Sequence, residues 1–392
     1  MKRGVRISRV FAESKAGKIV LMVAGEASAD QHGANLVRTI LRQDPGVFFL
    51  GIGGDEMARA GVRILFSSSE MAVVGLTEVF SRIPVIYKAA RRLKHILKEN
   101  RPDLLILLDY PDFNIHLART AKRCGVPVLY YISPQVWAWR KGRVRKIRNR
   151  VDRMAVILPF EETFYRNEGI SVDYVGHPLL DSAPAPFARG RDGSNGGMPN
   201  QGPVLGLLPG SRNEEVSFLL PAMVSSAELL KNKHPKLRCV LPLTSTVDAK
   251  LVREITGRSK INIALSGRNI YEVLKACDVV IAASGTVTLE VAMMGIPMVV
   301  AYRVSWLSYH IGRMIIRVPH ISLVNLVAGK RVVPELIQGD ATPEKMAREA
   351  ETLLSDRGAR YRMIKDLGMI RERLGSKGAS RRTAEIALEM MR

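Results

Sequence analysis

Four short stretches carry the residue types that group transfer needs. In "LLDYPDFN", residues 107–114, an acid follows a run of large apolar residues and precedes a proline and a second acid. Leu104 to Leu108 reads as a buried strand with Asp109 at its C-terminal end. A carboxylate there can take a proton from an attacking hydroxyl, and partial burial would raise its pKa toward the useful range. The alternative for Asp109 is a plain turn acid. Pro111 stops the strand, and Asp112 reads as the N-cap of the helical segment that ends at Gly125.

In "LPGSRNEE", 208–215, Gly210 and Ser211 turn a strand into a helix, and the Arg212 guanidinium is placed to grip phosphate in a bidentate fashion. The plainer reading has Ser211 capping the helix and Arg212 solvated. In "AASGTVTLE", 282–290, the small residues Ser284, Gly285 and Thr286 let a diphosphate approach the free N–H groups of a helix start. Glu290, about one turn on, suits a ribose diol. A capped helix with Glu290 in a surface pair is the competing reading. "VAGEASADQHGA", 23–34, offers Gly25, Glu26, Ser28 and Asp30 at the same sheet face as Asp109, where they would shape an acceptor pocket. One glycine-rich turn is weak evidence.

The elements that must position these residues follow an α/β pattern. "KIVLMVAG", "LLILLD", "VPVLYYISP", "VDRMAVILPF" and "VDYVG" are apolar runs without alternation, separated by amphipathic segments. Such runs suit parallel strands buried on both faces. A Pro, Gly, Ser and Asn-rich stretch closes this half, and "VLGLLPG", "LRCVLPL", "DVVIAASG" and "PMVVAYRV" restart the pattern. The expected layout is an N-terminal Rossmann-like domain over 1–182, a linker over 183–203 and a second Rossmann-like domain over 204–392. The two would face a central cleft, with the helix from about 376 able to pack back on the first domain.

Composition narrows the function classes. In 392 residues, 59 Lys and Arg against 37 Asp and Glu give a net charge of +22, so the surface attracts phosphorylated ligands, anionic lipid or polyanions. Cys124, Cys239 and Cys277 lack CxxC spacing, which argues against disulfides or structural zinc and fits a reducing cytoplasm. There is no DxD and no HxxxH, so no metal and no other cofactor are expected. Charges at Arg6, Arg9, Glu13, Lys15 and Lys18 break any secretory signal, and no apolar run is long enough to span a bilayer.

Two segments suit a membrane surface. "VFSRIPVIYKAARRLKHILK" places Val79, Phe80, Ile83, Ile86 and Tyr87 near one helical face beside basic residues, provided Pro84 lies in or near a first turn. "WAWRKGRVRKIRNR" sets seven basic residues from Arg140 to Arg150, Lys141 among them, behind Trp137 and Trp139. Core packing competes for the first, and RNA stacking for the second. The amphipathic stretch 306–318 is a candidate for lipid or for a homodimer contact, with core packing preferred. His32 reads as a surface or satisfied core residue, and His177 in "VGHPL" as a turn histidine before proline.

Taken together, "VAGEASADQHGA", "VVGLTEV", "LLDYPDFN", "YYISPQVWAWR", "LPFEETFY", "VGHP", "LLPGSRNEEV", "ASGTVTLE" and "PMVVAYR" resemble, in order, the lipid-A-disaccharide synthase family of GT-B glycosyltransferases, over roughly residues 18–340. The resemblance implies metal-free, inverting transfer of 2,3-diacylglucosamine from UDP to 2,3-diacylglucosamine 1-phosphate, giving a β-1,6 disaccharide and UDP. It places the family's essential acid and arginine on Asp109 and Arg212, and its nucleotide signature on Ser284, Gly285, Thr286 and Glu290. It also implies a cytoplasmic enzyme peripheral on the inner membrane. Ala29 and Val324 depart from the family's usual glycine and proline and bear on local loop geometry. Another UDP-sugar enzyme of the same fold, such as a muramyl-pathway N-acetylglucosaminyltransferase or a UDP-N-acetylglucosamine 2-epimerase, would share only the diphosphate turns. A nucleic-acid-binding protein would leave those turns idle, so no nucleic-acid partner is expected.

Overall fold

The computed structural model describes residues 17–71, 76–139, 142–184, 202–244, 246–306, 309–310, 313 and 318–392. The chain forms two compact units. One runs to Asp181 and includes Gly375–Arg392; the other is Ser182–Leu374. Most of the 183–203 stretch lies outside the described residues.

The first unit is built on a seven-stranded parallel sheet: β1 (Ile19–Ala24), β2 (Phe48–Gly53), β3 (Arg63–Ser67), β4 (Leu104–Leu108), β5 (Val128–Tyr131), β6 (Arg153–Val156) and β7 (Val172–Tyr174). Their order is β3-β2-β1-β4-β5-β6-β7. β4 shows why the pattern does not alternate: all five residues are 0% exposed, because helices cover both sheet faces. Each such side chain contributes roughly 1.5–3 kcal/mol of burial. The Leu76–Glu99 helix seals one face with Ala89, Leu93, Ile96 and Leu97, spaced to share one stripe. The Ala379–Met390 helix belongs to this unit and packs against Ala27–Gln43.

Strand order reverses between β1 and β4, which pair in register from Val20↔Leu104 to Ala24↔Leu108. The turns after these two strands diverge there, leaving a crevice at their C-terminal ends. Gly25 and Asp109 are the first residues of those turns.

The second unit repeats the plan with six parallel strands: β8 (Val204–Leu208), β9 (Arg238–Pro242), β10 (Ile263–Ser266), β11 (Val279–Ala283), β12 (Met298–Tyr302) and β13 (Glu335–Ile337). The order β10-β9-β8-β11-β12-β13 reverses between β8 and β11, with Leu208 opposite Ala282. "PGSR" follows β8 and "SGT" follows β11, so both phosphate-type turns flank this second reversal.

Several local expectations are corrected. Asp112 is not the N-cap of its helix, which spans Pro111–Arg123; proline takes the first position, Tyr110 caps through its backbone, and Asp112 pairs with Arg143. Pro84 lies well inside the Leu76–Glu99 helix rather than in its first turn. It is exposed, so the loss of its backbone donor falls on the solvent side. Ala29 and Val324 are both buried within helices, so the two family departures leave those segments helical.

Candidate functional site

Each unit assembles its own cluster. In the first, Asp109 and Tyr110 have φ of +46° and +44°, and Ile132, which follows β5, has +62°. Non-glycine residues in this region cost of order 1–3 kcal/mol each, so three at neighbouring strand ends must be held by their surroundings. Asp109 N donates to Ile132 O at 3.3 Å. The amide of Asn114, fully buried on the next helix, donates to Leu108 O at 3.1 Å and Asp109 O at 2.7 Å. The Tyr130 hydroxyl on β5 donates to the same Asp109 carbonyl.

Tyr110 extends the strained turn toward the first motif. Its hydroxyl donates to Met71 O at 3.2 Å, and its ring lies 5.6 Å from that of Phe113. A Cβ on Gly25 would fall 2.5 Å from Tyr110 Cγ and 2.8 Å from Tyr110 Cβ. Glycine is therefore required at position 25 for clearance: it lets the aromatic ring after β4 lie over the end of β1.

The expected acceptor-pocket residues divide accordingly. Glu26 is the backbone N-cap of the Ala27–Gln43 helix, and its charge helps hold the Tyr110 phenol above its ordinary pKa, behind burial and Asp112. Ser28 is exposed at the helix start. Asp30 is 6% exposed and accepts from Gly54 N, Met57 N and Glu56 N at 2.6, 3.1 and 3.0 Å. Both its oxygens are spent on the start of the Asp55–Arg59 helix, which makes Asp30 part of the local scaffold.

The loop after β5 is anchored by a residue that sequence reading passed over. Glu161 is 1% exposed; its Oε1 accepts from Ser133 Oγ at 2.5 Å and Trp137 Nε1 at 3.0 Å, and its Oε2 from Leu158 N at 3.0 Å. Burial pushes this carboxyl's pKa up, against these three hydrogen bonds and a fourth from Ile157 N at 3.3 Å, all of which favour the anion. Trp137 also meets Phe160 edge-on, with ring centroids 4.8 Å apart. It is thus tied into the protein, which corrects its expected membrane-facing role. The Trp139 side chain, Arg140 and Lys141 lie outside the described residues, as do the side chains of Val79 and Phe80. Ile83 and Tyr87 are 49% and 68% exposed, whereas Ile86 packs against the core. In 306–318, Trp306 is 70% exposed, against the expected core packing.

The second cluster sits at the reversal between β8 and β11. Gly210 has φ +118°, and a Cβ there would come within 2.2 Å of Glu215 Oε2. That oxygen accepts from Ser211 N at 3.0 Å. Arg212 is the N-cap of the Asn213–Lys233 helix, so Ser211 does not cap it. The Arg212 guanidinium is 56% exposed and lies 3.8 Å from Glu215. The loop after β9 braces the turn: Thr246 Oγ1 donates to Ser211 O at 2.8 Å, and Asp248 N to Asn213 Oδ1 at 2.9 Å.

Across the reversal, Ser284 Oγ donates to Ile321 O at 3.1 Å and Thr288 Oγ1 to Gly285 O at 2.7 Å. Ile321 is fixed by Glu335, which accepts from Ile321 N, Ser322 N, Ser322 Oγ and the fully buried Asn325. Gly285 differs from Gly210: its φ is not left-handed, and an added Cβ would meet nothing within 4 Å. Among the described residues nothing requires glycine there, and the space above it is open. Glu290 forms no ion pair among the described residues. Burial lifts its carboxyl to about 7, partly offset by the neighbouring Tyr271 hydroxyl. A buried acid with so high a pKa and one phenol beside it departs from the expected surface pair. Tyr271, Glu335 and Asn325 carry no motif spacing, and only contact reveals them; Glu161 lies in the quoted "LPFEETFY", but only contact shows what its carboxylate holds.

A third group lies elsewhere in the first unit. His177, 2% exposed, takes a hydrogen bond on Nδ1 from Leu179 N at 3.2 Å, and burial and neighbouring His32 hold its pKa down to about 3. Burial lowers His32 to about 4, partly offset by Asp181, and its Nδ1 is buried without a hydrogen-bond partner among the described residues. His32 is therefore not a satisfied core residue.

A family model described as lipid-A-disaccharide synthetase matches residues 20–390. A relative described as lipid-A-disaccharide synthase, from Geobacter metallireducens, is 49% identical over 374 residues, covering 95% of this chain and 97% of its own length. Among solved structures, an S. aureus MnaA–UDP co-structure aligns with a TM-score of 0.63 at 13% identity, covering 95% of this chain and 97% of that one. A glycotransferase of kitacinnamycin gives 0.63 at 15%, covering 95% and 98%. At these identities the solved structures speak for the fold alone.

Proposed function

The chain belongs to the lipid-A-disaccharide synthase family, and from that premise we propose that Asp109 is the base of the transfer and Arg212 the group that neutralises the departing phosphates. The enzyme is a GT-B hexosyltransferase that joins UDP-2,3-diacylglucosamine to 2,3-diacylglucosamine 1-phosphate through a β-1,6 bond and releases UDP. As the acceptor 6-hydroxyl attacks the anomeric carbon, its proton passes to Asp109 and the bond from that carbon to the UDP oxygen breaks, with inversion. Arg212 and the Ser284–Thr286 turn meet the negative charge that develops on the diphosphate. Glu290, ionised on binding, accepts hydrogen bonds from the ribose diol.

The observation that carries this assignment is topological. Asp109 begins the turn after β4, Arg212 lies in the turn after β8, and Ser284 begins the turn after β11; each of these strands flanks the order reversal of its own sheet, the place where such sheets bind ligands. The test is to incubate the protein with both acylated substrates and follow the tetraacyl disaccharide phosphate by mass spectrometry. Asp109→Asn and Arg212→Ala should remove turnover with folding intact; near-wild-type rates in either would end the assignment.

Acylated substrates support a reading in which the transfer occurs at a bilayer surface. No described helix is long and apolar enough to cross a membrane, so attachment would be peripheral. Exposed Ile83 and Tyr87 on the Leu76–Glu99 helix, with Lys88 and Arg91 close by in sequence, supply an apolar and basic contact. Flotation with anionic liposomes should fall for Ile83→Glu with Tyr87→Glu, and unchanged flotation would remove this surface from consideration.

A further inference from the structure

We propose that the buried side chains of Asn114 and Tyr130 are positioning residues for the transfer, holding the Asp109 carbonyl so that the left-handed Asp109–Tyr110 turn presents the Asp109 carboxylate at the strand end. The proposal rests on reading Asp109 as the base. Three polar groups of this short backbone stretch are pinned: Leu108 O by Asn114, Asp109 N by Ile132 O, and Asp109 O by Asn114 and Tyr130 together. A carbonyl has two lone pairs, and here both receive side-chain donors from two different elements. Fixing these peptide groups fixes φ and ψ at Asp109, and with them the direction of its Cα–Cβ bond.

Packing alone does not call for either side chain. Asn114 is 0% exposed on a helix face that by spacing it shares with buried Leu117, Ala118 and Ala121, and Tyr130 is 0% exposed within the core cluster of the first unit. A leucine and a phenylalanine would fill those volumes without burying polar atoms. Among the described residues Asn114 Oδ1 has no hydrogen-bond partner, so half of this amide is desolvated for the sake of the other half. Two consecutive non-glycine residues with positive φ would relax to a commoner conformation if released. The carboxylate would then leave the position from which it meets the acceptor hydroxyl.

The experiment compares Tyr130→Phe, Asn114→Leu and Asp109→Asn in full-length protein, reading kcat, donor KM, UDP affinity and melting temperature. Misplacement of a reacting group by about an ångström costs on the order of 100-fold in rate. We expect kcat to fall about 10-fold in Tyr130→Phe and about 100-fold in Asn114→Leu, with UDP affinity, set by residues of the other unit, within twofold of wild type. In an Asp109→Asn background, Tyr130→Phe should reduce the residual turnover no further, because the aim of an absent base no longer matters. A lower melting temperature with kcat per folded molecule within twofold of wild type would overturn the proposal and leave the pair a purely structural role. Should Asn114→Leu fail to fold, Tyr130→Phe, which removes one hydroxyl, decides alone. Asp109→Asn at near-wild-type rate would overturn the base assignment itself; an inactive Asp109→Asn beside fully active Tyr130→Phe would overturn only the positioning.

Discussion

Replacing Glu290 by glutamine should stabilise the empty protein at alkaline pH and weaken its hold on UDP. The carboxyl is lifted from 4.5 to about 7, chiefly by desolvation. A group whose pKa is raised in the folded state lends stability while protonated, fully below the unfolded value, and loses it as pH climbs through the folded value. With pKa values of 4.5 and 7 the loss between pH 5 and pH 8 is about 2.5 kcal/mol, using 1.36 kcal/mol per unit. Glutamine does not titrate, so the stability of Glu290→Gln relative to wild type should rise by that amount across this range. For a unit the size of Ser182–Leu374 this corresponds to about 5–10 °C in melting temperature. Taking the difference between the two proteins at each pH cancels every other titrating group. Calorimetric titration with UDP should show wild type releasing protons on binding near pH 6.5, because a diol selects the anionic carboxylate, and Glu290→Gln should lack this component. At pH 6 only about a tenth of the sites are ionised, so the Glu290-dependent part of the affinity falls about 10-fold. A stability difference flat from pH 5 to 8 would refute the burial argument, and Glu290→Gln binding UDP within twofold of wild type would refute the diol contact.

Gly285→Ala should leave the melting temperature within about 1 °C, since its Cβ meets nothing within 4 Å, yet reduce UDP affinity at least about 10-fold by filling the space above the turn; calorimetry on the folded variant checks both halves. Gly25→Ala should do the reverse: a Cβ 2.5 Å from the Tyr110 ring must displace it, costing about 1–3 kcal/mol in urea denaturation and lowering kcat while UDP affinity is kept. The first unit should weaken in acid, because His32 and His177 are depressed to about 4 and about 3, and stability carried by a depressed histidine is complete above 6.5 and lost as pH falls below it. By pH 5 the pair should have cost about 4 kcal/mol, and His32→Asn should flatten the slope of denaturation midpoint against pH between 6.5 and 4.

The residues legible in the sequence were those whose signal is local. β4 announced itself as five consecutive aliphatics with an acid after them, and the turns at Gly210 and Gly285 as glycine between an apolar run and a helix. The helix beginning after Asp109 was legible too, but its cap was not: proline's preference for the first helical position outranked the general preference of aspartate for the cap, and Asp112 moved inward by two places. Asn114 and Tyr130 have no local signal of a role, because their partner is a carbonyl five and 21 residues away. The role of Glu161 is silent in the sequence for the same reason: its carboxylate reaches back to Ser133 and Trp137. Trp137 and Ile86 were assigned outward faces from composition and periodicity, and contacts with Glu161, Phe160 and the core drew them inward. Amphipathic spacing identifies a face without saying what that face meets.

The two units solve one positional problem with different amounts of strain. Around β8 and β11 glycine supplies the unusual geometry: Gly210 takes φ +118° at little cost, and Gly285 leaves room, so a nucleotide can rest on backbone and one exposed arginine. Around β1 and β4 the residue at the strand end is the one proposed as the base, and it cannot be glycine. Asp109 therefore occupies a left-handed conformation itself, with Tyr110 following it, and the difference is met by buried hydrogen bonds from Asn114 and Tyr130 and by the empty Cβ position of Gly25. Binding a diphosphate asks mainly for space and donors, which small residues give. Moving a proton asks for one carboxylate at one place, and a fold obtains that only by over-determining the backbone that bears it.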